Sequence, residues 1–272
     1  MIHTLKYAII ADIGHFDLTF YDPDNQPELE DFCKRQQYSF LPGKDRKSIY
    51  RFTDRGFQKD ELSERITFNP YDRIFSRKTM NKFKDIDADD VGFIVERDII
   101  KGVVHIVDYN SEFVKLELYR ALHNYDKNLQ RLLLNNLFRN QDYIDWVEQQ
   151  MNNSTSEDKQ KYWTKRYKTI MPADEELRKQ VENDREVANA FETFFLSDLL
   201  EYAIDMGLVN KENVHTERLK SIRNSVIYSM DVDASEHLDE IYEFDTLRNF
   251  VLKARGFFEA YEYLEDKVGV SN

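Results

Sequence analysis

The sequence predicts an α+β protein, an N-terminal α/β repeat pair followed by a C-terminal all-α helical bundle. Three observations carry this expectation. Strand-like runs, turn residues and four of the five prolines (Pro23, Pro27, Pro42 and Pro70) fall in the N-terminal half. The order helix, strand, turn, strand occurs near residues 27–52 and returns, in weaker form, near 77–107. From Ser111 onward, apolar residues recur at helical spacing to the end of the chain.

Each element has its own local reason. Phe16–Asp17–Leu18–Thr19–Phe20 alternates apolar and polar residues as a strand does, and Asp22–Pro23–Asp24–Asn25 breaks it. Pro27 suits the first turn of a helix through Glu28, Leu29, Phe32 and Cys33. Tyr38–Leu41 and Ser48–Phe52 read as short strands around the turn Pro42–Gly43–Lys44–Asp45. Asp90–Val95 and Lys101–Asp108 can pair as a hairpin across Glu96–Arg97–Asp98, and Gly102 lets a backbone or a ligand approach closely.

In the second half, Phe113, Leu116, Leu118, Tyr119, Leu122, Leu129, Leu132 and Leu133 fall largely on one helical stripe. Asn152–Glu157 reads as an exposed loop or linker. Pro172 precedes a charged helix from Ala173 to Val187, and the apolar run from Phe191 to Ala203 forms a further helix closed by Gly207. Two more helices are expected, Thr216–Tyr228 and Asp245–Asp266. The division into domains is therefore placed at 1–112 and 113–272. Phe257, Phe258, Tyr261, Tyr263 and Leu264 exceed what one buried stripe needs, which suggests a homodimer seam or a partner contact.

Composition narrows the class of protein. Acidic residues outnumber basic ones by 51 to 38, for a formal charge of −13, which argues against a wholesale nucleic-acid or anionic-membrane surface. The local basic group Lys44, Arg46, Lys47 and Arg51 could meet phosphates, although a charged hairpin is the commoner explanation. Cys33 is the single cysteine, so neither an intrachain disulfide nor a thiolate metal cluster can form. No signal peptide or membrane-length apolar run is evident, and a soluble cytoplasmic protein is expected. Walker, dinucleotide-glycine, nucleophile-elbow and HExxH motifs are absent, and no cofactor is required. Asp12, His15 and Asp17 cluster near the start, but their spacing matches no metal-ligand frame and a solvated loop is expected there.

The most informative stretch is Lys101–Gly102–Val103–Val104–His105–Ile106–Val107–Asp108, an apolar strand that ends on an acid and runs into a helix. Asp108 sits where ribose hydroxyls or backbone amides are commonly held. Two readings stand about even: a ribose contact, or a carboxylate capping the helix that follows. His105 alternates with apolar neighbours and is expected to be half-buried and hydrogen-bonded.

These residues resemble the closing strand of a CBS motif, which reads Gly, two aliphatics, Ser or Thr, two variable positions, then Asp. Gly102, Val103, Val104, His105, Ile106, Val107 and Asp108 fit that frame, with His105 in place of the hydroxyl residue. Ser48–Asp54 fits the first repeat only loosely. The resemblance spans roughly residues 15–125. It implies a cleft between two repeats that binds an adenine nucleotide (AMP, ADP or ATP), with Asp108 on the ribose and His105 and Gly102 beside it.

Leu219–Tyr228 resembles the motif helix of a HEPN domain, a helical bundle found in prokaryotic RNA-cleaving toxins, nucleotidyltransferase partners and defence proteins. The family motif is Arg, a polar residue (often Asn), three or more variable residues, then His. Arg223 and Asn224 match it, and Tyr228 stands where His would be. The resemblance implies that Arg223 would steady phosphate charge. A tyrosine, with an ordinary pKa of about 10, is a poor general base near pH 7. An Arg that bridges helices and a Tyr packed in the bundle explain the same residues without chemistry. Together the two resemblances imply a bacterial cytoplasmic regulatory protein that senses an adenine nucleotide and signals through a catalytically degenerate helical domain. Its alternative is a metal-independent ribonuclease of a toxin or phage-defence system, with RNA as substrate.

Overall fold

The computed structural model describes residues 8–36, 38–84, 91–217, 219, 222 and 244–270. The chain is mixed α+β, with its sheets in the N-terminal half and helices filling the C-terminal half. Packing divides it into two compact units. One comprises Met1–Tyr119 with Asn224–Phe258, the other Arg120–Arg223 with Glu259–Asn272. The first unit thus takes a second segment from the C-terminal half.

In the first unit, α1 (Ile10–Ile13) is a single turn, and α2 (Gln26–Gln36) begins after a 3₁₀ turn at Pro23–Asn25. Asp22 caps that turn, and Pro27 lies in the first turn of α2, where its missing N–H costs nothing. Strands β1 (Phe40–Pro42), β2 (Ile49–Thr53) and β3 (Gly56–Asp60) form an antiparallel sheet in sequence order. Sequence reasoning missed β3, which turns back at Gly56 with φ +90°.

A second sheet joins β4 (Thr67–Phe68), parallel to β5 (Gly92–Glu96), and the antiparallel β6 (Ile99–Val104). The two residues between β5 and β6, Arg97 and Asp98, both have positive φ (53° and 61°), the geometry that matches the twist of a tight hairpin. Between β4 and β5 in the chain runs α3 (Arg77–Lys84), whose first turn Ser76 caps by accepting from the Thr79 N–H. The order helix, strand, turn, strand thus occurs twice, at α2–β1–β2 and at α3–β5–β6. Phe16–Phe20 joins no strand ladder, although pairing brackets it: His15 bridges Val103 and Tyr21 bridges Gly43.

Ile49 of β2 meets Phe93 and Ile100 of the second sheet in a buried cluster, with Leu18, Phe40 and Val103 packed around it. A second core surrounds Tyr109. Its ring lies edge-on to Phe83 at 5.0 Å and to Phe75 at 5.9 Å, and its hydroxyl donates to the Ile74 carbonyl at 2.6 Å. Burial pushes this phenol well above its ordinary pKa.

The turn before β2 is organised by Asp45. Its carboxylate accepts from the backbone N–H groups of Ser48 and Lys47, both at 2.9 Å, and from the Ser48 hydroxyl at 2.7 Å. Those bonds hold its pKa down to about 2. The basic group expected near this turn is largely engaged: Lys44 pairs with Asp22, Arg46 lies 5.0 Å over Phe20, and Arg51 lies 6.0 Å over Phe40.

In the second unit, α5 (Asn140–Asn153) and α6 (Glu157–Ile170) pack together across Ser154–Ser156, so the predicted loop is a tight helical connection. Trp146 and Trp163 meet edge to face at 5.0 Å, and Tyr143 packs on Phe194 and Tyr202. Around them lie α7 (Glu175–Val187), α8 (Leu196–Asp205) and the short α9 (Lys211–Val214). The predicted 191–203 helix begins only at Leu196, because Phe191 adopts φ 68° and the chain turns there. Gly207, at φ 71°, closes α8 as expected. Two long helices, α4 (Glu112–Asn135) and α10 (Phe244–Val270), supply residues to both units. Phe257, Tyr261 and Leu264 of α10 are buried, whereas Phe258 and Tyr263 are half-buried.

Asp198 is the one charged side chain of α8 that is buried. It accepts from the Tyr162 hydroxyl at 2.6 Å and from Ser197 at 3.0 Å, and Arg166 Nε lies 2.9 Å from its other oxygen. Burial, and then the Asp198 contact, push the Tyr162 phenol up to about 12. The Arg166 guanidinium lies over the rings of Phe195 at 4.0 Å and Tyr162 at 5.0 Å.

Replacing Asp198→Ala strands this guanidinium and should lower stability by about 3 kcal/mol in urea unfolding. The Asp45 carboxyl should titrate with a midpoint of about 2 by NMR. Because its folded pKa is depressed, its stabilisation is full above the unfolded pKa of about 4 and is lost as pH falls through about 2. Asp45→Asn should therefore flatten the acid limb of the stability profile in that window.

Candidate functional site

A hollow of about 690 Å³ opens in the first unit. The segment from His15 to Thr19, the end of α2, strand β1 and the C-terminal end of β6 form its walls. Leu18, Leu41, Val91 and Val103 make an apolar floor, Phe32, Tyr38 and Phe40 bring aromatic rings, and Thr19 and Ser39 bring hydroxyls. Two carboxylates and two imidazoles complete it: Asp17, Asp108, His15 and His105.

Asp108 sits one turn beyond β6, in a 3₁₀ turn at Ile106–Asn110. One carboxylate oxygen accepts from the His105 backbone N–H at 2.7 Å. The other lies 2.9 Å from His15 Nε2. His105 reciprocates, since its Nδ1 accepts from the Val107 N–H at 3.1 Å. This exchange is a capping box, and it fixes both side chains at the rim of the hollow. The two readings of Asp108 are therefore compatible in this geometry: the carboxylate caps a backbone turn and also lines a cavity.

His15 is 67% exposed, so the bond that covers the outer oxygen of Asp108 is held by a largely solvated imidazole. Such a bond contributes little to stability and is readily exchanged for another donor. Asp12 accepts from the Ile9 N–H, His15 meets Asp108, and Asp17 faces the hollow, so the three residues clustered in the sequence serve three different ends.

Gly102 lies beneath this arrangement. A Cβ there would come within 2.5 Å of the His15 carbonyl oxygen and 3.1 Å of the Phe16 ring. The close approach that its glycine permits is made by the backbone, and it seats the His15 segment against β6 through paired bonds to Val103 at 2.8 and 2.9 Å. Gly102 thus shapes the wall and does not itself line the hollow.

Sequence reasoning found Asp108 and His105 but missed the facing wall. His15 lies 93 positions from Asp108, and nothing local in the sequence announces the contact. Tyr38, Ser39 and Thr19 carried no motif. The one available signal was Gly102, which calls for a neighbour at close range without naming it.

A second hollow, about 650 Å³, lies in the other unit beside Trp146, Lys159, Tyr162 and Asp205. The Trp146 indole and the Gln150 amide both donate to one oxygen of Asp205, at 3.1 and 3.3 Å. Arg223, Asn224 and Tyr228 lie outside the described residues.

Comparison with protein-family models, curated proteins and solved structures finds no match.

Gly102→Ala forces the His15 carbonyl or the strand to move, and it should cost about 1–3 kcal/mol in chemical denaturation. Ser39→Ala, on the opposite wall, should change stability by less than about 1 kcal/mol, which separates the close approach from general sensitivity of the hollow.

Proposed function

We propose that the first unit senses an adenine nucleotide in the hollow bounded by β1, β6 and α2, and that the helical C-terminal half delivers the response as a catalytically degenerate HEPN-like domain. One observation carries the reading: a carboxylate fixed by its own backbone turn stands at the rim of a cavity with an apolar, aromatic-edged interior. Such a cavity matches the size and mixed chemistry of small-molecule sites, about 300–1,000 Å³. A ribose offers two adjacent hydroxyl donors, and the outer oxygen of Asp108 offers the acceptor once His15 gives way. The base would lie on the apolar floor among Leu18, Leu41 and Val103, edged by Phe32 and Phe40. Response follows by linkage: a ligand that binds one arrangement of the protein better shifts the population toward it.

The resemblance of Lys101–Asp108 to a CBS closing strand supports the same ligand class. A ribonuclease would rest on Arg223 and Tyr228, which lie outside the described residues, and no described feature favours it. Among the described residues, no helix is long and apolar enough to cross a membrane.

The test is a calorimetric titration with adenosine, AMP, ADP, ATP and S-adenosylmethionine, paired with thermal shift. At least one should bind. Asp108→Asn, which can keep the His105 and His15 bonds through its amide, should weaken that ligand about tenfold while circular dichroism stays unchanged. No heat and no thermal shift with any of the five removes the reading.

A further inference from the structure

Independently of the sensor reading, we infer that the hollow of the second unit binds an apolar amino acid as its zwitterion, with the ammonium group on Asp205 and the carboxylate on Lys159 and Lys211. All of its walls come from this one unit: α5, α6, α8, α9 and the residues just beyond. Its floor is apolar and already packed. Trp146 and Trp163 are each 5% exposed and meet edge to face at 5.0 Å, and Ile204 and the Tyr162 ring extend that surface.

Asp205 is fixed against this floor. The Trp146 indole and the Gln150 amide both donate to one of its carboxylate oxygens, and the other accepts from no described residue. A carboxylate held in this way loses little freedom when a donor arrives, so a charge-assisted bond to its open oxygen adds affinity at low entropic cost. The lining carries both signs. Asp158, Glu201 and Glu217 join Asp205, while Lys159 and Lys211 bond to no described residue. A polyphosphate would meet the carboxylates and a simple cation the lysines, each a like-charge contact in a partly enclosed space. A zwitterion meets each sign with its opposite, and its apolar side chain covers the indole floor. The volume of about 650 Å³ admits a side chain as large as a phenyl ring.

Trp146 and Trp163 are the two tryptophans of the chain, so indole fluorescence reports this hollow directly. Phenylalanine, phenethylamine and 3-phenylpropionate share a phenyl body and differ in the charged groups they carry; leucine tests an aliphatic body. Titrated into the full chain, phenylalanine or leucine should change the emission, and phenylalanine should bind about tenfold tighter than phenethylamine or 3-phenylpropionate. Asp205→Asn keeps an acceptor for Trp146 and Gln150 but removes the charge, and it should bring phenylalanine down to the affinity of 3-phenylpropionate. Lys159→Gln combined with Lys211→Gln, both exposed positions, should bring it down to that of phenethylamine. Circular dichroism should stay unchanged in both variants.

Silence from phenylalanine and leucine alike would overturn the site. Phenethylamine or 3-phenylpropionate binding as tightly as phenylalanine would overturn the zwitterion. Full affinity surviving in Asp205→Asn, or in the double lysine variant, would deny those residues their roles. None of these outcomes bears on nucleotide binding in the first unit.

Discussion

The first unit turns on a single carboxylate. Asp108 ties the end of β6 to the 3₁₀ turn beyond it and reaches the His15 imidazole on a segment 93 positions earlier. Its two oxygens thus do different work. The inner one satisfies a backbone N–H that would otherwise lack a partner at a chain reversal, and the outer one holds a side chain that water can replace. Tyr109, the next residue, locks the same turn from below, with its hydroxyl on the Ile74 carbonyl and its ring among Phe75 and Phe83. A rigid base therefore supports a rim with one exchangeable contact.

The two halves manage buried charge in different ways. In the first unit, Asp17 stays exposed at the hollow, and Asp108 at its rim is held by the His105 N–H and the His15 imidazole. In the second unit, Asp198 is taken out of water and needs Tyr162, Ser197 and Arg166 around it. A buried arrangement of that kind fixes one packing of α6 against α8 more than it adds net stability, because the desolvation of two charges offsets most of their attraction. Arg185 performs a related service at the end of α6, where its guanidinium reaches the Ile170 carbonyl and lies 5.3 Å over Phe194.

Much of this was legible in the sequence because local chemistry dictated it. Pro27 marked the start of α2, Gly207 the end of α8, and Pro172 preceded α7. The alternation in Lys101–Val104 gave β6. What was hidden depended on partners distant along the chain. Phe16–Phe20 has a strand's pattern but forms no ladder, since the core takes Leu18 while both ends of the segment are pinned by single bridges. β3 was missed because Gln58, Lys59 and Asp60 lack an apolar alternation, and the register of β2 imposes the pairing. Phe191 carries an apolar signal suited to a helix, yet its left-handed backbone ends that possibility, with its N–H held by Asn140 at 2.8 Å. Of the site, Asp108 and His105 were readable from the strand that delivers them, whereas His15, Asp17 and Tyr38 acquire meaning only through the fold.

Cys33 gives α2 an additional property. It is 1% exposed, and burial raises its thiol to about 11, so the nucleophilic thiolate is scarce at neutral pH. The helix that holds it also supplies Phe32 and Gln36 to the wall of the hollow. Alkylation of this lone sulfur must therefore wait for α2 to lift from its bed. Its rate serves as a native clock for the breathing of that wall, with no foreign label introduced.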